Sequence, residues 1–258
     1  MAKLSRIDKE VHYGTWEMGG PRHYCREGLI IKNLQRFVSG GRVLDVGCGT
    51  GSLVVKLALH GYEVYGIDMS QECLDMTSKR LNSLQVMNKG EVRKGNALGI
   101  DYPDGFFDAI IAAEVLEHLE EDNLAVKEFY RLLRPGGSCL ITVPSNQRLW
   151  DIWDEMAGHK KRYYKDDLMR LFKEQSFSVE RLFSWGFPIM RLYHRLVFLK
   201  WANHIGKKTG GTISTRDTAT RIGLNRWTTY ILGNLFCFDN IFGALPWGIG
   251  ILLIAKKI

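Results

Sequence analysis

The sequence predicts an α/β fold built around a parallel sheet. Three observations lead there. Short β-branched runs alternate with stretches whose apolar residues recur at helical spacing. A glycine loop, RVLDVGCGTGSL at 42–53, sits where one such strand gives way to a helix. The chain has 258 residues, 45% apolar and 24% charged, enough for one large globular domain.

The elements follow in order. HYCREGLIIKNLQRFV at 23–38 carries one apolar stripe and predicts a helix, which Gly40-Gly41 ends. RVLDV at 42–46 reads as a buried strand, and SLVVKLALH at 52–60 as a helix stopping at Gly61. YEVYGID at 62–68 is the second strand; QECLDMTSKRLN at 71–82 is a helix with Ser70 as its cap. EVRKG at 91–95 gives a third strand and FDAIIAA at 107–113 a fourth. NLAVKEFYRLL at 123–133 is a helix ended by Arg134-Pro135-Gly136-Gly137, and SCLITVP at 138–144 is the fifth strand. Beyond Pro144 the rhythm changes. DDLMRLFKEQ at 166–175 is a helix, SVERLFS at 178–184 a strand, and GIGILLIAKK at 248–257 a closing strand. Residues 187–246 form an aromatic, basic insertion, too apolar for a free linker and too charged for a membrane span.

Bulk properties narrow the class. Five scattered cysteines (Cys25, Cys48, Cys73, Cys139, Cys237) without a CxxC pair predict a reduced, cytoplasmic chain. MAKLSRIDKE lacks the apolar core of a signal peptide, and no run of about 18 uncharged apolar residues predicts a membrane span. The net charge of +7 is unevenly placed: residues 159–226 hold 15 Lys/Arg against 5 Asp/Glu, leaving 20 against 23 elsewhere. A solvated face is the ordinary reading; an anionic substrate, an anionic membrane surface or RNA are the sharper ones.

The glycine loop is the most informative stretch. A phosphate-binding loop needs Gly-Lys-Ser/Thr, but Gly51 is followed by Ser52-Leu53. A dinucleotide loop has G-x-G-x-x-G, whereas Gly47, Gly49 and Gly51 make G-x-G-x-G. Asp45 stands two residues before the first glycine, where it would oppose a phosphate and suit a cation. Asp68 ends the second strand, where a carboxylate can accept both ribose hydroxyls. The loop therefore predicts a cationic nucleoside without phosphate.

VLDVGCGTG, GIDMS, FDAIIAAEVLEHL and RLLRPGG together resemble the class I S-adenosylmethionine (SAM)-dependent methyltransferases. LWDIWDEMAGHKKRYYKDDLMRLFKEQSFSV resembles a segment of one bacterial subgroup associated with glycan or lipid-linked pathways. The resemblance implies a Rossmann-like seven-stranded sheet ordered 3-2-1-4-5-7-6, with strand 7 antiparallel. It implies a single domain over 1–258: an N-terminal cap at 1–40, a SAM-binding core at 41–145, and an acceptor-side region at 146–258. It also implies that Asp45, Gly47, Gly49, Asp68, Met69, Asn96, Ala97 and Ala113 contact SAM. Where the family often has Gly-Asp-Ala, this chain has Gly95-Asn96-Ala97, so an amide carbonyl would receive the adenine amino group. The subgroup's histidine before aspartate is Trp153 here, followed by Asp154.

Methyl transfer from a sulfonium needs chiefly positioning and desolvation, because the leaving group is already activated. A hydroxyl acceptor also needs its proton removed, and His118 and His159 are the candidate bases; alternatively His159 holds its loop and His118 packs or hydrogen-bonds locally. Glu114, Glu117 and His118 would share a face if a helical turn began at Glu114, and could then ligate a divalent cation. Similar spacings carry metal in ubiquinone-pathway O-methyltransferases; the metal-free reading is preferred. Arg162 and Tyr163 either bind an anionic acceptor or shape their loop, and Trp150 and Trp153 line the acceptor mouth or pack in the core. Residues 187–202, with Arg191, Arg195 and Lys200 among apolar side chains, either cover the sheet or lie on a bilayer at the inner membrane face. The expected activity is methyl transfer from SAM to a small-molecule, glycan or lipid-linked acceptor, at oxygen. The rivals are an RNA methyltransferase, disfavoured because no RNA-binding module is recognisable, and a non-catalytic SAM-binding protein.

Overall fold

The computed structural model describes residues 20–86, 89–209 and 226–258. The predicted cap before residue 20 and the insertion's residues 210–225 lie outside the described residues. In chain order the elements are α1 (Pro21–Phe37), β1 (Arg42–Val46), α2 (Ser52–Leu59), β2 (Glu63–Asp68), α3 (Gln71–Ser83), β3 (Gly90–Lys94) and β4 (Phe107–Ala113). Then come a 3-10 turn (Leu116–His118), α4 (Asp122–Leu132), β5 (Leu133–Pro144), α5 (Ile152–Ala157), α6 (Lys165–Glu174) and β6 (Phe177–Trp185). α7 (Ile189–Tyr193), a π-turn (His194–Phe198), α8 (Leu199–Thr209), α9 (Arg226–Cys237), a second 3-10 turn (Phe238–Phe242) and β7 (Gly250–Lys257) follow.

The chain forms two compact units. Of the described residues, the first comprises those within 30–143, 164–182 and 252–258; the second comprises 20–29, 144–163, 183–209 and 226–251. The sheet, most of it in the first unit, has seven strands in the order β3-β2-β1-β4-β5-β7-β6, with β7 antiparallel. This is the predicted topology. β1 pairs parallel with β2 and β4, so Asp45 lies opposite both Gly66 and Ile111. Both faces of the central strands are covered, which is why they read as unbroken apolar runs. Leu44, Ile110 and Ile111 are fully buried. Ser70 caps α3 as expected, its hydroxyl accepting from the Cys73 amide at 3.3 Å.

β5 departs from expectation. It starts at Leu133 rather than at Ser138, because Arg134-Pro135-Gly136-Gly137 does not end the pairing but bulges out of it. Phe107 pairs with Leu133 and Ala109 with Ser138, so four residues of β5 stand opposite the single Asp108 of β4, a surplus of three. Asp108 holds the bulge, accepting from Arg134 Nε at 2.6 Å and from the Arg42 amide at 2.8 Å.

The second unit contains helices where the sequence shows only an aromatic, basic stretch. The buried Asp239 caps α7 from fifty residues away, its two oxygens accepting the Ile189 and Met190 amides at 3.0 and 2.8 Å. Burial still pushes its carboxyl up from the ordinary value. Arg191 donates to the Trp247 carbonyl at 2.9 Å, and the Tyr193 and Phe236 rings lie 5.3 Å apart. α7 and α9 are thus packed together. Cys25 and Cys237 lie 3.4 Å apart as thiols, and none of the five cysteines forms a disulfide. No helix among the described residues is long and apolar enough to cross a membrane.

Candidate functional site

The glycine loop leaves β1 and turns over the carboxyl end of β2. The Gly47 and Cys48 amides both donate to the Ile67 carbonyl, at 2.8 and 3.0 Å. Gly47 and Gly49 have φ of 69° and 52°, in the left-handed region that favours glycine. They serve different ends. A Cβ on Gly47 would come within 2.7 Å of Val115 Cγ2, so that glycine permits close packing. A Cβ on Gly49 would meet nothing within 4 Å: its face of the loop is open. Beside it, Asp68 accepts from the Gly49 amide at 2.8 Å through Oδ2 and from the Ser70 amide at 2.8 Å through Oδ1. Each oxygen keeps a further lone pair.

The electrostatics of the loop select the ligand's charge. Burial pushes the Cys48 thiol far up, and the anionic Asp45 and Asp68 add to it. The loop therefore lies in a negative field. A phosphate would be repelled there, while a sulfonium or ammonium would be favoured. Asp45 itself is buried, and Met69 is 69% exposed at the end of β2. Asn96 is exposed and its Oδ1 accepts from the Leu98 amide at 3.0 Å, so one of its lone pairs serves a turn. Ala97 is buried after β3, and Ala113 is half-buried at the end of β4. These eight predicted residues fall at the carboxyl ends of β1 to β4, where open α/β sheets bind ligands. An open glycine face, a ribose-type carboxylate and a negative field fit SAM.

The premise for a metal on Glu114, Glu117 and His118 is not met. The chain after β4 makes a single 3-10 turn, Leu116–His118, and Glu114 stands outside it with φ 59°. The residues therefore do not share one α-helical face. Glu117 is fully buried while His118 is half-buried.

In the second unit, residues 151–162 build a buried ionic lattice around Asp154. Arg162 grips it twice, Nε on Oδ1 at 2.8 Å and Nη2 on Oδ2 at 2.6 Å. His159 Nδ1 meets Oδ1 at 2.8 Å, and the Asp151 amide donates to Oδ2 at 2.8 Å, completing a capping box on α5. Burial alone would raise the Asp154 pKa; these bonds outweigh it and hold the carboxyl well below the usual range. Asp151 accepts from His194 Nε2 at 2.9 Å, and Arg22 Nη1 reaches His194 Nδ1 at 2.9 Å. Burial first and the Arg22 charge second push the His194 pKa down, while Asp151 pulls the other way. The lattice settles two expectations. Arg162 is spent on Asp154, so it shapes the loop rather than offering a free cation, and Tyr163 is 5% exposed with its backbone bonded to Pro144 and Asn146. Trp153 packs edge-on against Phe198 at 5.0 Å. Asp151, His194 and Arg22 were not singled out from the sequence. Only the Asp-x-x-Asp spacing at 151–154 signals part of the lattice in advance.

Comparison with known proteins agrees with this geometry. Residues 44–141 match the family model described as "Methyltransferase domain". The chain is 32% identical over 183 residues to the O-methyltransferase resE of Aspergillus sclerotiorum, covering 66% of this chain and 69% of that one. It is 31% identical over 137 residues to the demethylmenaquinone methyltransferase of Lactiplantibacillus plantarum, covering 51% of this chain but only 56% of the relative's length. Among solved structures, a putative sarcosine dimethylglycine methyltransferase from Galdieria sulphuraria shares the fold. Its TM-score is 0.64 at 17% identity, over 90% of this chain and 85% of that one. With a glycine loop of G-x-G-x-G spacing, the 3-2-1-4-5-7-6 sheet and a relative matched over most of its length, the chain belongs to the class I SAM-dependent methyltransferases.

Proposed function

We propose that this chain transfers the methyl group of SAM to an oxygen of a small-molecule, glycan or lipid-linked acceptor. The observation that carries the reading is the open face of Gly49 beside Asp68, in a loop whose field is negative. SAM supplies a methyl group on a positive sulfur, already activated for displacement. Asp45, Gly47, Gly49, Asp68, Met69, Asn96, Ala97 and Ala113 hold it: Asp68 accepts ribose hydroxyls, Asp45 organises the ammonium end, and the exposed Met69 lies against the base. The kinship with a named O-methyltransferase supports oxygen as the acceptor atom.

An oxygen acceptor needs a base, and we assign that role to His159, with His118 as the second candidate. Asp154 stays ionised and accepts a hydrogen bond from His159 Nδ1–H, which makes Nε2 the nitrogen that would act as base. This is the His–carboxylate arrangement in which the acid sets tautomer and orientation. The chain works in the cytoplasm, in contact with the inner membrane face when its acceptor is lipid-linked.

Isothermal titration tests the cofactor: SAM and its demethylated product bind, while NAD and ATP do not. Uptake of NAD or ATP in their place refutes the reading. Incubation with radiolabelled SAM and fractionated cell extract, followed by identification of the labelled fraction, finds the acceptor. Turnover is expected to survive chelation; its loss and recovery with a divalent ion would return a metal to the mechanism.

A further inference from the structure

Among its described residues the second unit exposes an apolar stripe. On α9 and the turn that follows, Ile231, Leu235, Phe238 and Phe242 are exposed at 62, 40, 63 and 44%. Ile231, Leu235 and Phe238 are spaced four and three residues apart, on one face of α9 as it runs into the turn, and Phe242 follows within the turn. Leu192 and Leu196, exposed at 58 and 50%, add a second row on α7 and the π-turn. The two rows belong to one packed body, since Asp239 caps α7 and Tyr193 stacks near Phe236. Monomeric proteins seldom leave so many large apolar side chains together in water.

The described segments that carry the stripe bring cations and almost no acid. Residues 187–209 contain no Asp or Glu, and residues 226–258 contain only Asp239, which is buried on two backbone amides. Arg195 and Lys200 are exposed beside the second row. A protein partner of mixed charge would find no acid here to pair with. An anionic bilayer asks for this combination: apolar side chains to enter the acyl boundary and cations to meet the headgroups.

We propose that the face formed by α7, the π-turn, α9 and the following 3-10 turn docks on an anionic lipid bilayer. The surface stands on its own geometry, whatever the acceptor. The test is co-sedimentation of the full chain with vesicles of equal parts phosphatidylcholine and phosphatidylglycerol. Retention is expected on these and not on pure phosphatidylcholine, with release near about 1 M salt, where charges are screened within about 3 Å. The double variant Ile231→Ser/Phe238→Ser should lose roughly tenfold or more in vesicle affinity with an unchanged thermal midpoint and unchanged SAM titration. Arg195→Glu/Lys200→Glu, which leaves the apolar stripe intact, should lose retention on the anionic vesicles as well. The proposal fails if the chain ignores anionic vesicles, or if both double variants bind them as the parent does. It also fails if the serine pair instead dissolves a dimer of a chain that binds no vesicle, which would make a second copy the occupant.

Discussion

Asp68 acts at the scale of single hydrogen bonds. It orders Gly49 and Ser70 with one carboxylate and still faces the predicted ribose. Asp68→Ala should weaken SAM binding by about 10- to 100-fold, the worth of one or two bonds to a charged group, and Glu117→Ala should weaken it less. Equal affinities by isothermal titration would remove Asp68 from the site. Asp154 carries more weight in the fold. Asp154→Ala leaves the buried Arg162 cation without its two-pronged partner, a loss of about 3–5 kcal/mol in unfolding free energy. Denaturant titration measures it. Asp154→Asn keeps the volume but not the charge, so the acid limb of the turnover–pH profile should move while the affinity for SAM holds. His194 gives a sign in pH. Its folded pKa lies below the ordinary 6.5, so between those two values the unfolded chain binds the extra proton. Stability is therefore lost as pH falls below 6.5. His194→Gln removes this contribution. The gap in thermal midpoint between parent and variant should shrink on acidification, and a constant gap would contradict the assignment.

At the scale of elements, the strands of the core were legible and the acceptor-side lattice was not. β-branched runs such as FDAIIAA name buried parallel strands directly, because both faces are covered and no polar alternation interrupts them. The loop GCGTG was legible too, since its glycine spacing differs from that of phosphate-binding loops. The helix before Arg134-Pro135-Gly136-Gly137 ends as expected, at Leu132, but the strand begins ahead of these four residues and they bulge between two paired stretches. Gly137 is tight: a Cβ would sit 2.8 Å from the Arg134 carbonyl oxygen, which is backbone and cannot swing aside. Gly137→Ala should cost about 1–3 kcal/mol, the range for overpacking, and lower the melting temperature. The Arg22–His194–Asp151 chain could not be read in advance, because Arg22 and His194 are 172 residues apart. Spacing rules see neighbours along the chain, and only Asp151 and Asp154 are close enough to show one.

The molecule as a whole divides its charge as it divides its tasks. The core carrying the glycine loop is acidic, with 10 Lys/Arg against 15 Asp/Glu over residues 41–145, and the excess of cations falls after residue 159. That asymmetry was visible from composition; what it faces was not, because composition does not say which apolar side chains stay outside. One feature of the sheet reaches beyond stability. β7 is the last strand in the chain, yet it lies between β5 and β6. While the polypeptide is being made, those two strands wait with bare hydrogen-bonding edges until residues 250–257 leave the ribosome. A nascent chain stalled before that point is a natural client for chaperones. Ending it at residue 249 should convert a recoverable product into pelleted aggregate.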